Sequence, residues 1–169
     1  LLGEAMANSN YHTNDLQQCW HGVLEGDAEG LRIIHEMLYP TLHHYAKSML
    51  KDDALADDAV QDVFIKAWAQ REKIGRLQDV KAFFFTMLRR HNLNQLRSFK
   101  TRLLHLGLFT AAQNDVEFSP EDIVVKGQAE SEMKTRISLL LNQLPKRQKE
   151  VIYLKYFEEL DDKDISEIM

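Results

Sequence analysis

Apolar residues recur every three or four positions along most of the chain, the rhythm of amphipathic helices. Leu16, Cys19, Trp20, Val23 and Leu24 follow one another at spacings of 3, 1, 3 and 1. Asn14 or Asp15 is placed to cap that first helix, Gly26 to stop it, and Asp27 to cap the next. The second helix carries Leu31, Ile34, Leu38, Leu42, Tyr45, Ala46 and Met49 on one side, and Pro40 inside it predicts a kink or split near Tyr39. A third helix, with Asp53 as its expected cap, shows a regular stripe of Leu55, Ala59, Val60, Val63, Phe64, Ala67 and Trp68. Arg71 and Lys73 fall in its last turn and Gly75 ends it. Asp79 is positioned to cap a fourth helix over about residues 80–102, which contains Phe83, Phe84 and Phe85 in a row. A helix cannot bury three consecutive side chains on one stripe. Phe84 shares the core phase with Leu88, which leaves Phe83 or Phe85 nearer the surface, against another helix or facing a ligand.

The periodicity lapses over residues 103–118, where Thr110, Ala111, Ala112, Gln113 and Asn114 read as a linker. Ser119-Pro120-Glu121-Asp122 is a helix start, with a serine cap and proline in the first turn, and that helix is expected to run to about residue 144. Pro145 opens another helix with Val151, Ile152, Leu154, Tyr156 and Phe157 apolar. A last one begins after Leu160 with Ile165, Ile168 and Met169 on its apolar side. Strand-like alternation and Asn-Gly or Asp-Gly hairpin signals are missing, so the expected fold class is all-α.

Composition narrows the picture. The chain has 169 residues, 44% hydrophobic and 28% charged, a balance that permits a packed core and argues against wholesale disorder. The lone cysteine, Cys19, excludes a disulfide framework and any multi-cysteine metal site, and beside Trp20 it reads as a small core residue. Residues 1–5 precede Met6, an expected natural start, and are set aside. The first cation is Arg32, so a basic signal region is not seen, and no apolar run approaches the ~18 residues of a membrane helix. The expected location is cytoplasmic.

Charge is distributed unevenly. Residues 1–79 hold 7 Lys/Arg against 13 Asp/Glu, residues 115–169 hold 8 against 13, and residues 80–114 hold 6 Lys/Arg and no acid. A basic block between two acidic ones is either a solvated helix face or a surface for an anionic partner; solvated faces ordinarily mix signs. On the third helix, Asp58, Gln61, Asp62 and Ile65 share the polar face, and Asp52, Asp53, Asp57, Asp58 and Asp62 place five acids in eleven residues. That patch reads equally as a solvated face or as a docking surface with Ile65 adding apolar burial. On the fourth helix, Arg90, Asn94 and Arg97 lie at spacings of 4 and 3, one face of side chains able to hold phosphates and read base edges.

Ala56-Asp57-Asp58-Ala59-Val60-Gln61-Asp62-Val63-Phe64 with Trp68, then Lys81-Ala82-Phe83-Phe84-Phe85-Thr86 to Leu96-Arg97, resembles region 2 of bacterial sigma factors, the extracytoplasmic-function group in particular. Leu144-Pro145-Lys146-Arg147-Gln148-Lys149-Glu150-Val151 and Asp164-Ile165-Ser166-Glu167-Ile168 resemble the start of region 4. The resemblance implies two small helical domains: a tail over 1–13, a region-2 bundle over 14–102, a flexible linker over 103–118, and an incomplete helix-turn-helix region 4 over 119–169 that lacks its recognition helix. It implies a polymerase-clamp contact through Asp58, Gln61 and Asp62, to which spacing adds Ile65. It implies binding and melting of the minus-ten promoter element through Gly75, Arg76, Leu77 and Gln78 in the loop and Arg89, Arg90, Asn94, Arg97 and Lys100 on the helix. The family often has Trp or Tyr where Phe83 stands, Asn where Arg90 stands and Asp where Asn94 stands, so this face is more cationic than usual. The implied partners are core RNA polymerase, promoter DNA and an anti-sigma factor, often membrane-anchored; no cofactor, metal or small-molecule substrate is expected.

The competing readings are an enzyme, a helical protein-interaction module, and a helix-turn-helix regulator acting without polymerase. His12, His21, His35, His43, His44, His91 and His105 form no His-Glu-x-x-His pattern, and neither a Gly-rich phosphate loop nor a nucleophile signature is present. An interaction module accounts for the acidic patch but leaves the acid-free basic block without a purpose.

Overall fold

A computed structural model of the chain describes residues 15–106, 116 and 131–169. Among these the regular structure is helical: α1 (15–24), α2 (Ala28–Leu50), α3 (Asp53–Ile74), α4 (Val80–His105), α5 (Ser131–Asn142), α6 (Lys146–Tyr156) and α7 (Asp162–Ile168). The expected all-α class holds. The helix start at Ser119-Pro120 and most of the expected linker lie outside the described residues.

Aspartate caps open α2, α3, α4 and α7, whereas α6 starts at Pro145 without a side-chain cap. Asp27 accepts from Glu29 N at 2.9 Å, Asp79 from Ala82 N at 2.6 Å and Asp161 from Asp164 N at 2.7 Å, each satisfying a backbone donor the helix leaves open. At α3 the cap is Asp52, accepting from Leu55 N, one residue before the expected Asp53. Asp53 instead reaches back to Lys47 Nζ at 2.6 Å, and this ammonium holds its carboxyl below the usual carboxylate range. Gly75 ends α3 with a φ of 65°, where glycine carries no side-chain penalty, and its N–H donates to Arg71 O.

Two expectations about helix extent also need correction. Pro40 does not split α2, which is continuous from Ala28 to Leu50. Pro40 is on the exposed side, where water can reach the carbonyl left without a partner one turn back. The fourth helix runs past residue 102 to His105, with Arg102 and His105 in a last turn that favours cations.

The core is one continuous cluster. Trp20 and Val23 of α1, Ile34, Leu42 and Tyr45 of α2, Val60, Val63 and Phe64 of α3, and Phe84, Phe85 and Leu88 of α4 are all buried in it. Phe84 stacks on Phe64 at 4.5 Å between ring centres and meets Trp20 edge-on at 6.2 Å. The triple phenylalanine divides as expected, with one ring left nearer the surface: Phe85 is fully buried against Tyr45 at 5.4 Å, and Phe83 is half-buried against Trp20 of α1 at 6.0 Å. Leu55 departs from the expected stripe and is 40% exposed, whereas the rest of that stripe is buried or half-buried. Cys19 is half-buried, and desolvation raises its thiol pKa. Gly30 lets α1 and α2 approach closely, since a Cβ there would lie 2.5 Å from the Cys19 carbonyl oxygen.

The same cluster takes in Tyr153 and Leu154 of α6, Leu160 of the connection that follows, and Ile165 and Ile168 of α7. Tyr153 packs on Tyr45 at 5.7 Å and stacks on His44 at 5.9 Å, seating the C-terminal pair of helices on α2 and α4.

Candidate functional site

Two neighbouring helices carry the candidate surfaces. The apolar stripe of α3 faces the core, so helical geometry turns Asp58, Gln61, Asp62 and Ile65 outward, and all four are exposed. Ile65 is 66% exposed, more than any other large apolar side chain of the helix.

The five acids around them have separate duties. Asp52 caps the helix and Asp53 pairs with Lys47. Asp57 accepts a hydrogen bond from the Tyr39 hydroxyl and lies 3.4 Å from His43 Nε2. That hydrogen bond keeps the Tyr39 hydroxyl protonated above its usual range. Asp58 and Asp62 are the acids turned outward beside Gln61, with His91 Nε2 3.8 Å from Asp62 Oδ2 at the edge towards α4. The acidic run thus divides into a structural part and an outward part.

On α4, Arg90, Asn94, Arg97 and Lys100 are exposed, as the spacing requires. Arg90 and Asn94 line an open groove of about 1090 Å³ between α3 and α4, together with Phe83, Met87, Phe99 and Arg102. Phe99, 56% exposed, and Met87 were not among the residues singled out from sequence. Met87 has a signal in the recurrence 83, 87, 90, 94 at three- and four-residue steps; Phe99 lies off it, five residues past Asn94. Cations beside exposed aromatic rings are the combination that holds a backbone while bases stack.

The α3–α4 loop is fixed from below. Trp20 Nε1 donates to the Gly75 carbonyl at 2.9 Å, and Gln17 Nε2 donates to the Gln78 carbonyl at 2.6 Å. Arg76 and Gln78 are exposed and Leu77 is half-buried.

Arg89 stands apart from the other proposed contacts. Its guanidinium grips Glu150 of α6, Nε to Oε1 at 2.7 Å and Nη2 to Oε2 at 3.1 Å. The carboxylate beside it raises its already high pKa further. Gln78 is also engaged from the C-terminal helices, accepting from Lys163 Nζ at 2.9 Å. Lys81 Nζ donates to the Glu158 carbonyl at 2.5 Å and lies 3.8 Å from Glu158 Oε2.

Burial pushes the Glu158 carboxyl up to about 7; Lys81 and Tyr153 offset this in part, and Glu159 adds to it. Burial, then Asp79, pushes Asp164 up to about 6. Raised carboxyl values mean that the packed arrangement binds protons more tightly than the separated one. Stability is therefore fully present below the ordinary carboxylate range and is lost as pH rises through about 6 to 7. For Glu158 the effect is on the order of 3 kcal/mol. Amide exchange in α6 should accelerate between pH 5 and pH 8, beyond the intrinsic base-catalysed rise, and Glu158→Gln should flatten that excess. An excess that is the same in both proteins would contradict this account.

Residues 34–102 match the family model for Sigma-70 region 2, and residues 134–169 match that for Sigma-70, region 4. The chain belongs to the sigma-70 family. Every residue of the two candidate surfaces falls within the region-2 match. The sigma factor is 24% identical over 136 residues to the ECF RNA polymerase sigma factor SigM of Bacillus subtilis (strain 168), covering 80% of this chain and 79% of that one. It is 29% identical over 130 residues to the RNA polymerase sigma factor SigV of the same strain, covering 77% and 69%. Among solved structures, the sigma factor RpoE of Bartonella quintana, in complex with the anti-sigma factor NepR, matches with a TM-score of 0.59 at 25% identity over 81% of each chain. These likenesses agree with the extracytoplasmic-function group named from the motifs. The sigma factor acts in transcription initiation. Among the described residues, no helix is long and apolar enough to cross a membrane.

Proposed function

We propose that this sigma factor docks on core RNA polymerase through Asp58, Gln61, Asp62 and Ile65 of α3 and presents α4 to promoter DNA. Arg90, Asn94, Arg97 and Lys100, with the loop residues Gly75, Arg76, Leu77 and Gln78, then hold the separated strand at the minus-ten element. Arg89 joins them once released from Glu150. Residues 14–102 form the polymerase- and DNA-binding unit and residues 119–169 the region-4 unit. The protein performs no chemistry of its own, acts in the cytoplasm, and is held in check by an anti-sigma factor, as the complex of RpoE with NepR suggests.

The observation that carries this reading is the placement of an exposed acid–glutamine–isoleucine patch on one helix beside an exposed cationic face on the next. A negative surface suits a basic docking partner, and a positive one suits nucleic acid, so one bundle bridges the two. Transcription in vitro with core polymerase and a promoter library tests it: the protein should confer initiation at a discrete set of promoters. The free protein should bind single-stranded promoter DNA weakly, with about four phosphates contacted and a log–log salt slope near −3. Tight, salt-insensitive binding by the free chain would contradict the assignment.

A further inference from the structure

Glu150 occupies a prepared anion site. Its Oε1 accepts from the Tyr45 hydroxyl at 2.6 Å and from Arg89 Nε at 2.7 Å, and its Oε2 accepts from Arg89 Nη2. Two guanidinium donors in a fork, with a hydroxyl alongside, match a phosphate as well as a carboxylate. Tyr45 is fully buried on α2, and Arg89 extends from α4 within the cationic stretch that carries Arg90 and Arg97. The donors therefore belong to region 2, and the acid that fills the site comes from region 4.

The surrounding contacts give the same direction. α6–α7 spans from the α3–α4 loop to the third turn of α4 by three polar bridges: Lys163 to Gln78, Lys81 to Glu158, and Glu150 to Arg89. Two of them engage residues proposed to contact DNA, Gln78 and Arg89. A buried ion pair gains little net stability, because desolvating both partners offsets their attraction. A pair of this kind is suited to exchange for another anion, which a well-packed apolar contact is not.

We propose that Tyr45 and Arg89 form a backbone-phosphate pocket for the promoter strand, and that Glu150 fills it as an internal substitute until α6–α7 lifts away. The proposal rests on the promoter-binding reading above and adds Tyr45 to the nucleic-acid surface. It makes the arrangement of α6–α7 on α4 a closed form in which part of that surface is masked.

The test uses the full chain, a fluorescent single-stranded oligonucleotide carrying a minus-ten sequence, and core polymerase in a parallel arm. Glu150→Gln should tighten oligonucleotide binding by the free chain about tenfold. It should also steepen the log–log salt slope by about 0.7, the increment for one added phosphate contact on a single strand. In the Arg89→Gln background the same change should have less than a twofold effect, and Tyr45→Phe should remove a large part of the gain. Tyr153→Ala, which removes the α6 ring packed on Tyr45 and leaves both donors in place, should tighten binding as Glu150→Gln does. Circular dichroism checks that each variant is folded. Equal binding by wild type and both releasing variants overturns the proposal. So does a gain that persists undiminished with Arg89→Gln, since it would then come from lost negative charge alone. The parallel arm separates the two ideas: a wild-type chain that core polymerase fails to retain overturns the sigma-factor docking on which the proposal rests, whereas a retained chain with silent variants overturns the pocket alone.

Discussion

Exchanging Asp58 and Gln61 for lysine is expected to reduce retention of the chain by core RNA polymerase at least tenfold while leaving thermal unfolding within a degree or two of wild type. Both side chains are exposed, and neither takes part in the caps and pairs that hold α3, which use Asp52, Asp53 and Asp57. Surface changes away from such features alter stability by about 0.5 kcal/mol or less. Their effect on association is larger because a like charge placed against a complementary partner costs several kcal/mol. Lysine at Asp53 or Asp57 behaves differently: it breaks the contact with Lys47 or Tyr39 and lowers stability along with association. Surface plasmon resonance on immobilised core polymerase, paired with a thermal melt of each variant, separates the two classes. Unchanged association for the Asp58 and Gln61 variants would remove them from the interface.

The second large effect concerns stability. Trp20→Ala is expected to cost about 3–5 kcal/mol, the range for deleting a buried aromatic side chain. Trp20 is 1% exposed, packs on Phe83 and Phe84, and donates to the Gly75 carbonyl. Its loss therefore opens a cavity between α1 and α4 and frees the loop that carries Arg76 and Gln78. Against a typical total of about 5–15 kcal/mol, this leaves a marginal fold. Urea unfolding should show a lower midpoint with a similar slope, and an unchanged midpoint would mean that α1 is not integral to the bundle.

The helices were legible because each buries a stripe at three- and four-residue spacing, from Ile34 through Met49 on α2 to Ala56 through Ala67 on α3. Asp27 and Asp79 were legible as caps because each precedes an apolar period. Choosing between Asp52 and Asp53 was beyond sequence, since both have the chemistry and Lys47 decides which is free to cap. The continuity of α2 through Pro40 depends on which side of the helix meets water. That Phe85 is buried depends on Tyr45, forty positions earlier in the chain. The exposed patches were legible as the complement of the buried stripes. The pairing of Arg89 with Glu150 was not: periodicity locates faces within a helix but does not say which faces meet across sixty residues of chain.

The same limit explains why Arg89 and Arg90, adjacent in sequence and alike in chemistry, have different surroundings. Successive helical residues point about 100° apart, so Arg90 opens to the groove while Arg89 turns to α6. A charge count treats the two as equal contributors to DNA binding; the structure engages one and exposes the other.

The central claim is that α3 seats the protein on polymerase so that α4 can reach the opened strand. A photo-cross-linking amino acid in place of Ile65, the most exposed large apolar side chain of that helix, tests it most directly. On irradiation with core polymerase the account predicts one dominant adduct, to the clamp of the largest subunit, suppressed by the Gln61 lysine exchange. A folded protein that forms no adduct, or cross-links equally to all subunits, would contradict it.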